Sequence, residues 1–421
     1  MKELYIGFDD TDSRKGMCTT YVATRVINDF DLDLISKPRL IRLNPNVPWK
    51  TRGNGAIGLD IKTINPKELK EKITELITDL REEKSNTGIV FFDRDPKKID
   101  KIKKISKKSI KEIVDLKKAK SLAKKYGETR EFNSGRGIVG ALTAAGYTFN
   151  DYTYELIAYR KKKAWGTLRD INKKDVWEIS DKKYPKIWDT VDRENNQTVF
   201  DPNSPCPVLY GIRGDFKKEI IDASQKIRSE RKTYQTLFKT NQGTDEHIQE
   251  IEKIKEIKPF TSVKVKGKVE KPPETKEGGH VFFKIRDKTG KIDCAAFEPT
   301  KGFRDIIKKL IKGDVVTAYG GVSEKPLTIN LEKIEIQELN ENIIYKNPKC
   351  PNCGINMESA GKNQGFRCKK CKEKAKKKRE IHKERKLNEG IYEVPPVARR
   401  HISRPKIRKK IKKLKNNRMF F

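Results

Sequence analysis

The chain has 421 residues, of which 95 are Lys or Arg and 59 Asp or Glu, a formal charge of +36. Charged residues make up 37% and apolar ones 35%, against ~25% and ~45–50% (Gly included) in an average soluble domain, so the length suits several small cores rather than one large one. No apolar run reaches the ~18 residues of a membrane span. The surplus points to a polyanionic partner, nucleic acid first, with a merely solvated Lys-rich surface as the bland alternative.

The opening MKELYIGFDD enters a strand pattern with no apolar leader region, so a cytoplasmic protein is expected, with no membrane association. Residues 4–8 form a short apolar run ending at Asp9 and Asp10, the pattern of a buried strand. Val22, Val26, Ile27 and Phe30 recur at helical spacing behind Thr19 and Thr20. Residues 40–43 and 57–61 read as strands. Pro66 opens a helix whose apolar stripe is Leu69, Ile73, Leu76, Ile77 and Leu80. Residues 88–92 repeat the buried-strand pattern and end at Asp93. This alternation is an α/β pattern. The Lys-rich stretch 95–111 holds few apolar residues and reads as surface. From Gly135 an α+β unit is expected, with a small-residue helix over 138–145, strands over 154–159 and 208–212, and a helix over 217–227.

Over 257–340, Val263, Val265, Gly267 and Val269 alternate with Lys. A strand over 281–285, the turn Asp287-Lys288-Thr289-Gly290 and a partner strand over 292–297 form a hairpin. A helix over 303–310 precedes a strand over 315–319. Five short strands with one helix between the third and fourth is the OB-fold order; a different small barrel is the alternative. Residues 398–417 are dominated by Arg and Lys.

Cys350, Cys353, Cys368 and Cys371 form two Cys-x-x-Cys pairs separated by fourteen residues. Four thiolates so spaced can converge on tetrahedral Zn²⁺ and close its coordination sphere, a structural rather than catalytic site. The alternative, a redox dithiol, normally uses one pair beside a βαβ unit. Cys18, Cys206 and Cys294 are scattered, as in a reducing compartment.

Asp9, Asp10 and Asp12 place three carboxylates within four residues at the end of a buried strand, where α/β proteins bind ligands. They repel one another unless a cation intervenes, and Mg²⁺ commonly bridges carboxylates to nucleotide phosphates. An Asx-rich turn capping the next helix is the competing reading. Thr19 and Thr20 follow at a helix N-terminus, where anions are favoured. The segment from Arg42 to Gly55 concentrates donors, prolines and glycines between two strands; its Arg42, Lys50 and Arg52 suit phosphates electrostatically, or form a solvated basic loop. Gly135-Arg136-Gly137 is a weaker anion-binding signal.

Six strings in this order, GFDDTDSRKGMCTTY (7–21), RLNPNVPWKTRGNGA (42–56), GRGIVGALTAAG (135–146), CPVLYGIRGD (206–215), TNQGTDEH (240–247) and YEVPPVARRH (392–401), together with the OB-like region and the cysteine pairs, run from end to end. In them the chain resembles the archaeal tRNA-isoleucine agmatidine synthetases (2-agmatinylcytidine synthetases, TiaS). One departure is Phe238-Lys239, where the family pattern leads one to expect an Arg before Thr-Asn-Gln-Gly; Lys239 keeps the charge without the planar fork. The resemblance implies a multidomain α/β and α+β protein: a kinase-like ATP-binding catalytic domain (1–128), a ferredoxin-like domain (129–252), an OB-fold β-barrel (257–340) and a zinc ribbon with a basic C-terminal tail (346–421). It implies an ATP-dependent ligase that joins agmatine to the wobble cytidine of the CAU anticodon of an isoleucine tRNA, so that AUA is read as isoleucine, with ATP converted to AMP and phosphates. No obligate protein partner is implied.

An amide-like pyrimidine oxygen is a poor leaving group until phosphorylated, so such a site needs Mg²⁺ carboxylates, cationic phosphate clamps and a pocket for an extruded base. Asp9, Asp10 and Asp12 suit the first need; Arg42, Lys50, Arg52 and Arg213 are candidates for the second. By the resemblance Thr19 is the residue that becomes phosphorylated. Arg399, Arg400, Lys264 and Lys266 are expected to meet tRNA phosphates. Asp93, Asp201, Asp215 and Asp245 are open candidates for the cationic ends of agmatine. The rival from another class is a non-catalytic RNA-binding protein built of OB-fold and zinc ribbon, which would have no use for Asp9, Asp10 and Asp12 beside Thr19; OB-fold plus ribbon also recurs in exosome-like and single-strand-binding factors.

Overall fold

A computed structural model describes residues 1–93 and 96–411; Asp95 of the Lys-rich stretch and residues 412–417 of the basic tail lie outside the described residues. The first half runs β1 (Lys2–Asp9), α1 (Thr19–Asp29), β2 (Arg39–Arg42), β3 (Gly55–Thr63), α2 (Pro66–Leu80), β4 (Gly88–Asp93), α3 (Pro96–Lys111), α4 (Leu116–Tyr126), β5 (Glu128–Glu131) and α5 (Ile138–Gly146). It continues with β6 (Thr153–Arg160), α6 (Lys173–Lys183), β7 (Val208–Gly214), α7 (Lys217–Lys226) and β8 (Lys232–Thr240).

These strands form one sheet in the order β5-β4-β1-β3-β2-β8-β6-β7, with residues 187–188 beyond β7. Two antiparallel halves meet at a short parallel joint, where Lys239 and Thr240 of β8 face Arg39 and Leu40 of β2. The alternation of strands and helices therefore does not give a parallel sheet, because apolar periodicity marks burial and not chain direction. Val22 and Val26 of α1 and Ile73 and Ile77 of α2 pack with Ile6 and Leu59 on one face. Ile138, Ala141 and Leu142 of α5, with residues of α3 and α4, pack on Val90 and Phe92 on the other. The β1–α5 approach is close: a Cβ on Gly7 would lie 1.8 Å from the Ala141 carbonyl oxygen.

The Lys-rich stretch is not merely surface. In α3, Ile102, Ser106, Ser109 and Ile110 are buried. The Ser106 hydroxyl donates to the Thr143 carbonyl at 3.1 Å, and the Ser109 and Thr143 hydroxyls lie 2.7 Å apart. A stripe that is half serine hides from an apolar count, yet it buries without penalty when each hydroxyl is satisfied.

The barrel consists of β9 (Ser262–Thr275), β10 (Val281–Arg286), β11 (Lys291–Ala296), α8 (Phe303–Ile307), β12 (Val315–Ser323) and β13 (Thr328–Glu338). Its order β9-β10-β11-β13-β12 closes through β12 on β9, the OB-fold order, although α8 is shorter than expected. At the hairpin turn, Asp287 accepts the amides of Ile254, Thr289 and Gly290. Beyond the cysteine pairs the chain returns. Residues Gly390–Glu393 pair antiparallel with β13, and Ile402 packs with Ile41, Leu43 and Ala56. Arg408 is 1% exposed and donates to both Asp151 and Asp215. Residues 398–411 are therefore not only a basic tail for RNA: Arg408 has carboxylate partners that composition alone cannot reveal, while Lys406, Lys409 and Lys410 are exposed.

Candidate active site

A cleft of about 280 Å³ opens where the two half-sheets meet. Asp9, at the end of β1, faces it with Asp10 and Asp12, while Thr19 and Thr20 start α1. Arg42 from the end of β2, Glu155 from β6, Arg213 from β7 and His401 from the returning segment complete it.

Asp9 lies against α5 because Gly140 has no side chain; a Cβ there would stand 1.9 Å from Asp9 Oδ2. Asp10 sits at φ 58°, its carbonyl accepting the Thr87 hydroxyl at 2.8 Å. Burial, then the charge of Asp10, pushes the Asp9 carboxyl well above its usual range. Burial, then the charge of Asp12, pushes Asp10 up to about 6. Asp12 is raised too, by burial, against the pull of Arg52 and the Thr51 hydroxyl. Crowded, desolvated carboxylates of this kind favour a hard cation as partner. They do not gather as tightly as the cysteines: among the described residues, Cys350, Cys353, Cys368 and Cys371 are the one group of three or more metal-type ligands found together, their sulfur atoms all within 4.8 Å of one another. That spacing suits four thiolates around one tetrahedral Zn²⁺.

Thr19 is not the helix cap. Cys18 is the N-cap and makes no side-chain capping bond, so Thr19 is the first helical residue. Its Oγ1 accepts a hydrogen bond from the Thr11 hydroxyl at 3.1 Å, which leaves its own proton free to point elsewhere. Burial pushes the neighbouring Cys18 thiol up to about 11, so it stays protonated.

The opposite wall is cationic. Arg213 Nε donates to Glu155 Oε1 at 2.9 Å, and Arg42 Nη2 stands 3.5 Å from Oε2. Glu155 is 3% exposed and also accepts from Gln242; burial opposes its ionisation, but Arg213 and Arg42 outweigh it and hold the carboxyl below its usual range. One carboxylate is therefore shared by two guanidinium groups. Burial and the nearby Arg400 lower Lys50. Burial, then Arg213, Arg42 and Lys50, drive His401 well below its ordinary value, so it is neutral.

Arg52 behaves differently from the expected phosphate clamp. Its Nη2 donates to the carbonyls of Ser13, Gly16 and Met17 at 2.6, 2.6 and 2.8 Å, and its Nε stands 3.5 Å from Asp12. It staples the aspartate loop. Arg399, expected at the RNA, has a side chain only 6% exposed, paired with Asp189 and Glu393. Arg400 bonds Asn46 and Glu332. Lys264 pairs with Glu250, and Lys266 is exposed. Of the four carboxylates open for agmatine, Asp201 alone lines the cleft. Asp215 holds Arg408, Asp245 holds Lys333, and Asp93 is exposed at the end of β4. Lys239, the departure at 238–239, lies 4.0 Å over the Tyr152 ring.

Sequence reasoning missed Glu155, Glu112, Ser109 and His401, all lining the cleft. Glu155 had no signal of its own, being one acidic residue in an apolar strand. His401 stood within YEVPPVARRH, a string that marks the family but not the residue's position.

Four family profiles match: the TiaS TCKD domain over residues 5–63, the TiaS FLD domain over 135–247, an OB-fold nucleic acid binding domain over 263–337 and the TiaS C-terminal zinc ribbon domain over 347–387. The 2-agmatinylcytidine synthetase TiaS of Archaeoglobus fulgidus, named for the second isoleucine tRNA, is 45% identical over 412 residues, 96% of this chain and 97% of that protein. That of Methanocaldococcus jannaschii is 44% identical over 96% of this chain and 98% of its own length. The chain belongs to the TiaS family. A complex of TiaS with the second isoleucine tRNA and ATP superimposes with a TM-score of 0.90 at 42% identity, covering 97% of this chain and 98% of that one. A complex of TiaS with the same tRNA, AMPCPP and agmatine gives 0.87 at 40% identity, with the same coverage. Both half-sheets contribute to the one cleft: Asp9 and Thr19 come from the first, and Glu155 and Arg213 from the second. No described helix is long and apolar enough to cross a membrane.

Proposed function

We propose that this chain is an ATP-dependent ligase that joins agmatine to the wobble cytidine of the second isoleucine tRNA, yielding 2-agmatinylcytidine, so that AUA is read as isoleucine. The observation that carries it is the meeting, in one cleft, of three raised carboxylates, the Thr19 hydroxyl at the head of α1 and an Arg42–Glu155–Arg213 wall. A protein that only bound RNA through its barrel and ribbon would not desolvate Asp9, Asp10 and Asp12 beside a hydroxyl.

Asp9, Asp10 and Asp12 would hold Mg²⁺, which when bound neutralises polyphosphate charge. Arg42 and Arg213 draw polyphosphate oxygens to the facing wall, with Arg52 fixing the aspartate loop; Lys50, which also lines the neighbouring cavity, is left for a phosphate on that side. Thr19 is the phosphoryl acceptor; Thr11 donates to its oxygen, and the free N–H groups of the first turn of α1 favour the phosphate that results. Two phosphoryl groups leave ATP, one for Thr19 Oγ1 and one for O2 of the cytosine, so AMP remains; water returns the Thr19 hydroxyl and releases the first as phosphate. The agmatine amine then attacks C2 and gives up a proton, the C2–O bond breaks, and the second phosphate leaves with that oxygen. Asp201 and Glu112 are the cleft carboxylates left for the cationic ends of agmatine. Cys350, Cys353, Cys368 and Cys371 hold a structural Zn²⁺, and the setting is the cytoplasm. Of the cations proposed for tRNA, Lys266 is the exposed one on the barrel; Lys264, Arg399 and Arg400 reach RNA from within ion pairs.

The test is AMP release from ATP with purified protein. Release that depends on both the isoleucine tRNA transcript and agmatine supports the ligase. Tight tRNA binding with no such release would leave the RNA-binding reading in its place.

A further inference from the structure

Beside the cleft lies a second cavity of about 360 Å³. The two share a wall made of Arg42, Leu43, Lys50, Arg52, Gly53 and His401. The second cavity adds Arg399 and Arg400 from the returning segment, and no carboxylate lines it among the described residues. Arg399 has its own partners, Asp189 and Glu393, and Arg52 stands by Asp12, but the carboxylates behind the others are shared: Glu155 serves Arg42 and Arg213, and Glu332 serves Arg400 and His247. Lys50 Nζ donates to the Pro45 carbonyl. The His401 ring is neutral, and its buried Nδ1 has no hydrogen-bond partner. Gly53 makes this crowding possible, since a Cβ there would stand 2.6 Å from Arg42 Nη1 and 2.9 Å from His401 Cδ2.

A cavity with this lining takes an anion without a metal. A metal-bound polyphosphate belongs on the other side of the wall, where Asp9, Asp10, Asp12 and Thr19 are. A nucleotide whose base enters the cleft carries a phosphodiester on either side of its ribose, and one of them reaches over the shared wall. We propose that the second cavity seats a backbone phosphodiester of the RNA flanking the extruded cytidine, held by Arg400 and Lys50, with His401 between it and the reacting base. This rests on the ligase reading and adds to it a place for the strand. Phosphate contacts of this kind fix register rather than sequence.

The test is a charge-removal cycle. Anticodon stem-loop RNAs carrying one neutral methylphosphonate, 5′ or 3′ of the cytidine, are titrated against the full chain and Arg400→Gln. At one of the two linkages the methylphosphonate should weaken wild-type binding about tenfold and lower the slope of log K on log salt by about 1. The same RNA should lose little further affinity on Arg400→Gln, because the partner charge is already gone. Arg400→Lys should restore part of the effect. If Arg400→Gln does not fold, Lys50→Gln enters the same cycle. Losses that multiply, indifference of wild type at both linkages, or an Arg400→Gln defect confined to binding of an ATP analogue would each overturn the assignment. The last would make the cavity a seat for the nucleotide. Agmatine transfer by wild type to the unmodified isoleucine tRNA is the separate control: its absence sinks the ligase reading, while the binding cycle still decides the site.

Discussion

Thr19 and Asp10 carry the sharpest expectations at the scale of single side chains. Thr19 makes no cap bond, so replacing it by Ala removes a hydroxyl without unpairing the α1 terminus. Thr19→Ala should fold, bind tRNA and ATP, and lose agmatine transfer by orders of magnitude. Mass spectrometry after incubation with ATP and Mg²⁺ should place a phosphate on Thr19; an active Thr19→Ala protein, or a phosphate found on Thr20 alone, would remove it from the mechanism. Asp10 is held protonated up to about pH 6, by burial first and the charge of Asp12 second. A proton and Mg²⁺ compete for the same oxygens, so Mg²⁺-dependent binding of ATP should strengthen as the pH rises through 6 and fade below it. Asp10→Asn should weaken that binding and flatten the profile; a wild-type profile that is already flat between pH 5 and 7 (about one unit either side) counts against Asp10 as a ligand.

Among the elements, α5 and the 287–290 hairpin turn are the ones whose geometry makes testable demands. A Cβ at Gly140 would meet Asp9 Oδ2 at 1.9 Å, so Gly140→Ala must push Asp9 or the helix away. Overpacking of this kind costs about 1–3 kcal/mol. Melting should register that modest loss while ATP-dependent activity falls far more steeply; unchanged activity would mean that Asp9 has room to move. In the turn, burial would raise Asp287, but amide donors from Ile254, Thr289 and Gly290 and the Thr289 hydroxyl hold it at about 2. A depressed carboxyl contributes stability above its unfolded value of 3.8 and loses it as the pH falls through about 2. Asp287→Asn should therefore flatten barrel stability across that acid window. Much of this scale was legible beforehand. Residues 4–8 and 88–92 declared themselves as short apolar runs, 66–80 by its helical period, and the barrel by its strand order. Helix α3 did not, because Ser106 and Ser109 stand in its buried stripe. Strand direction did not either, since pairing partners lie far apart in the chain: Leu4 faces both Ile61 and Asp93.

For the molecule as a whole, the returning segment joins the barrel to the sheet. Arg408 is buried with Asp151 and Asp215, and breaking a buried pair from one side typically costs about 3–5 kcal/mol. Arg408→Ala should thus lower the melting temperature of the sheet, not of the ribbon alone. Deleting residues 398–421 to probe RNA contacts would also take away Arg408 and His401. Single charge changes are the cleaner probe. The ribbon is a separate matter. Its small core of Cys350, Met357, Phe366 and Cys368 is too slight to stand without metal. Chelation should release stoichiometric zinc and raise amide exchange across 347–375, with the sheet still protected. Purified protein lacking zinc would contradict this. The cleft's aspartates and the ribbon's cysteines were legible in the sequence, as were Arg42 and Arg213; Glu155 and His401 were not, because they become neighbours of Asp9 only through folding.

The position of His401 has a consequence for how the protein is made. A ribosome delivers Asp9, Thr19 and Arg42 early, and the residues that follow can begin to fold as they emerge. The wall bearing Arg399, Arg400 and His401 comes only after the barrel and the ribbon have been translated. Nascent chains should therefore pass through a stage with a folded barrel and an incomplete site. Completion of the site reports that the intervening domains have been synthesised, so a message cut short within the ribbon yields a protein with the five barrel strands but without the flanking strand 390–393 and with an unfinished site.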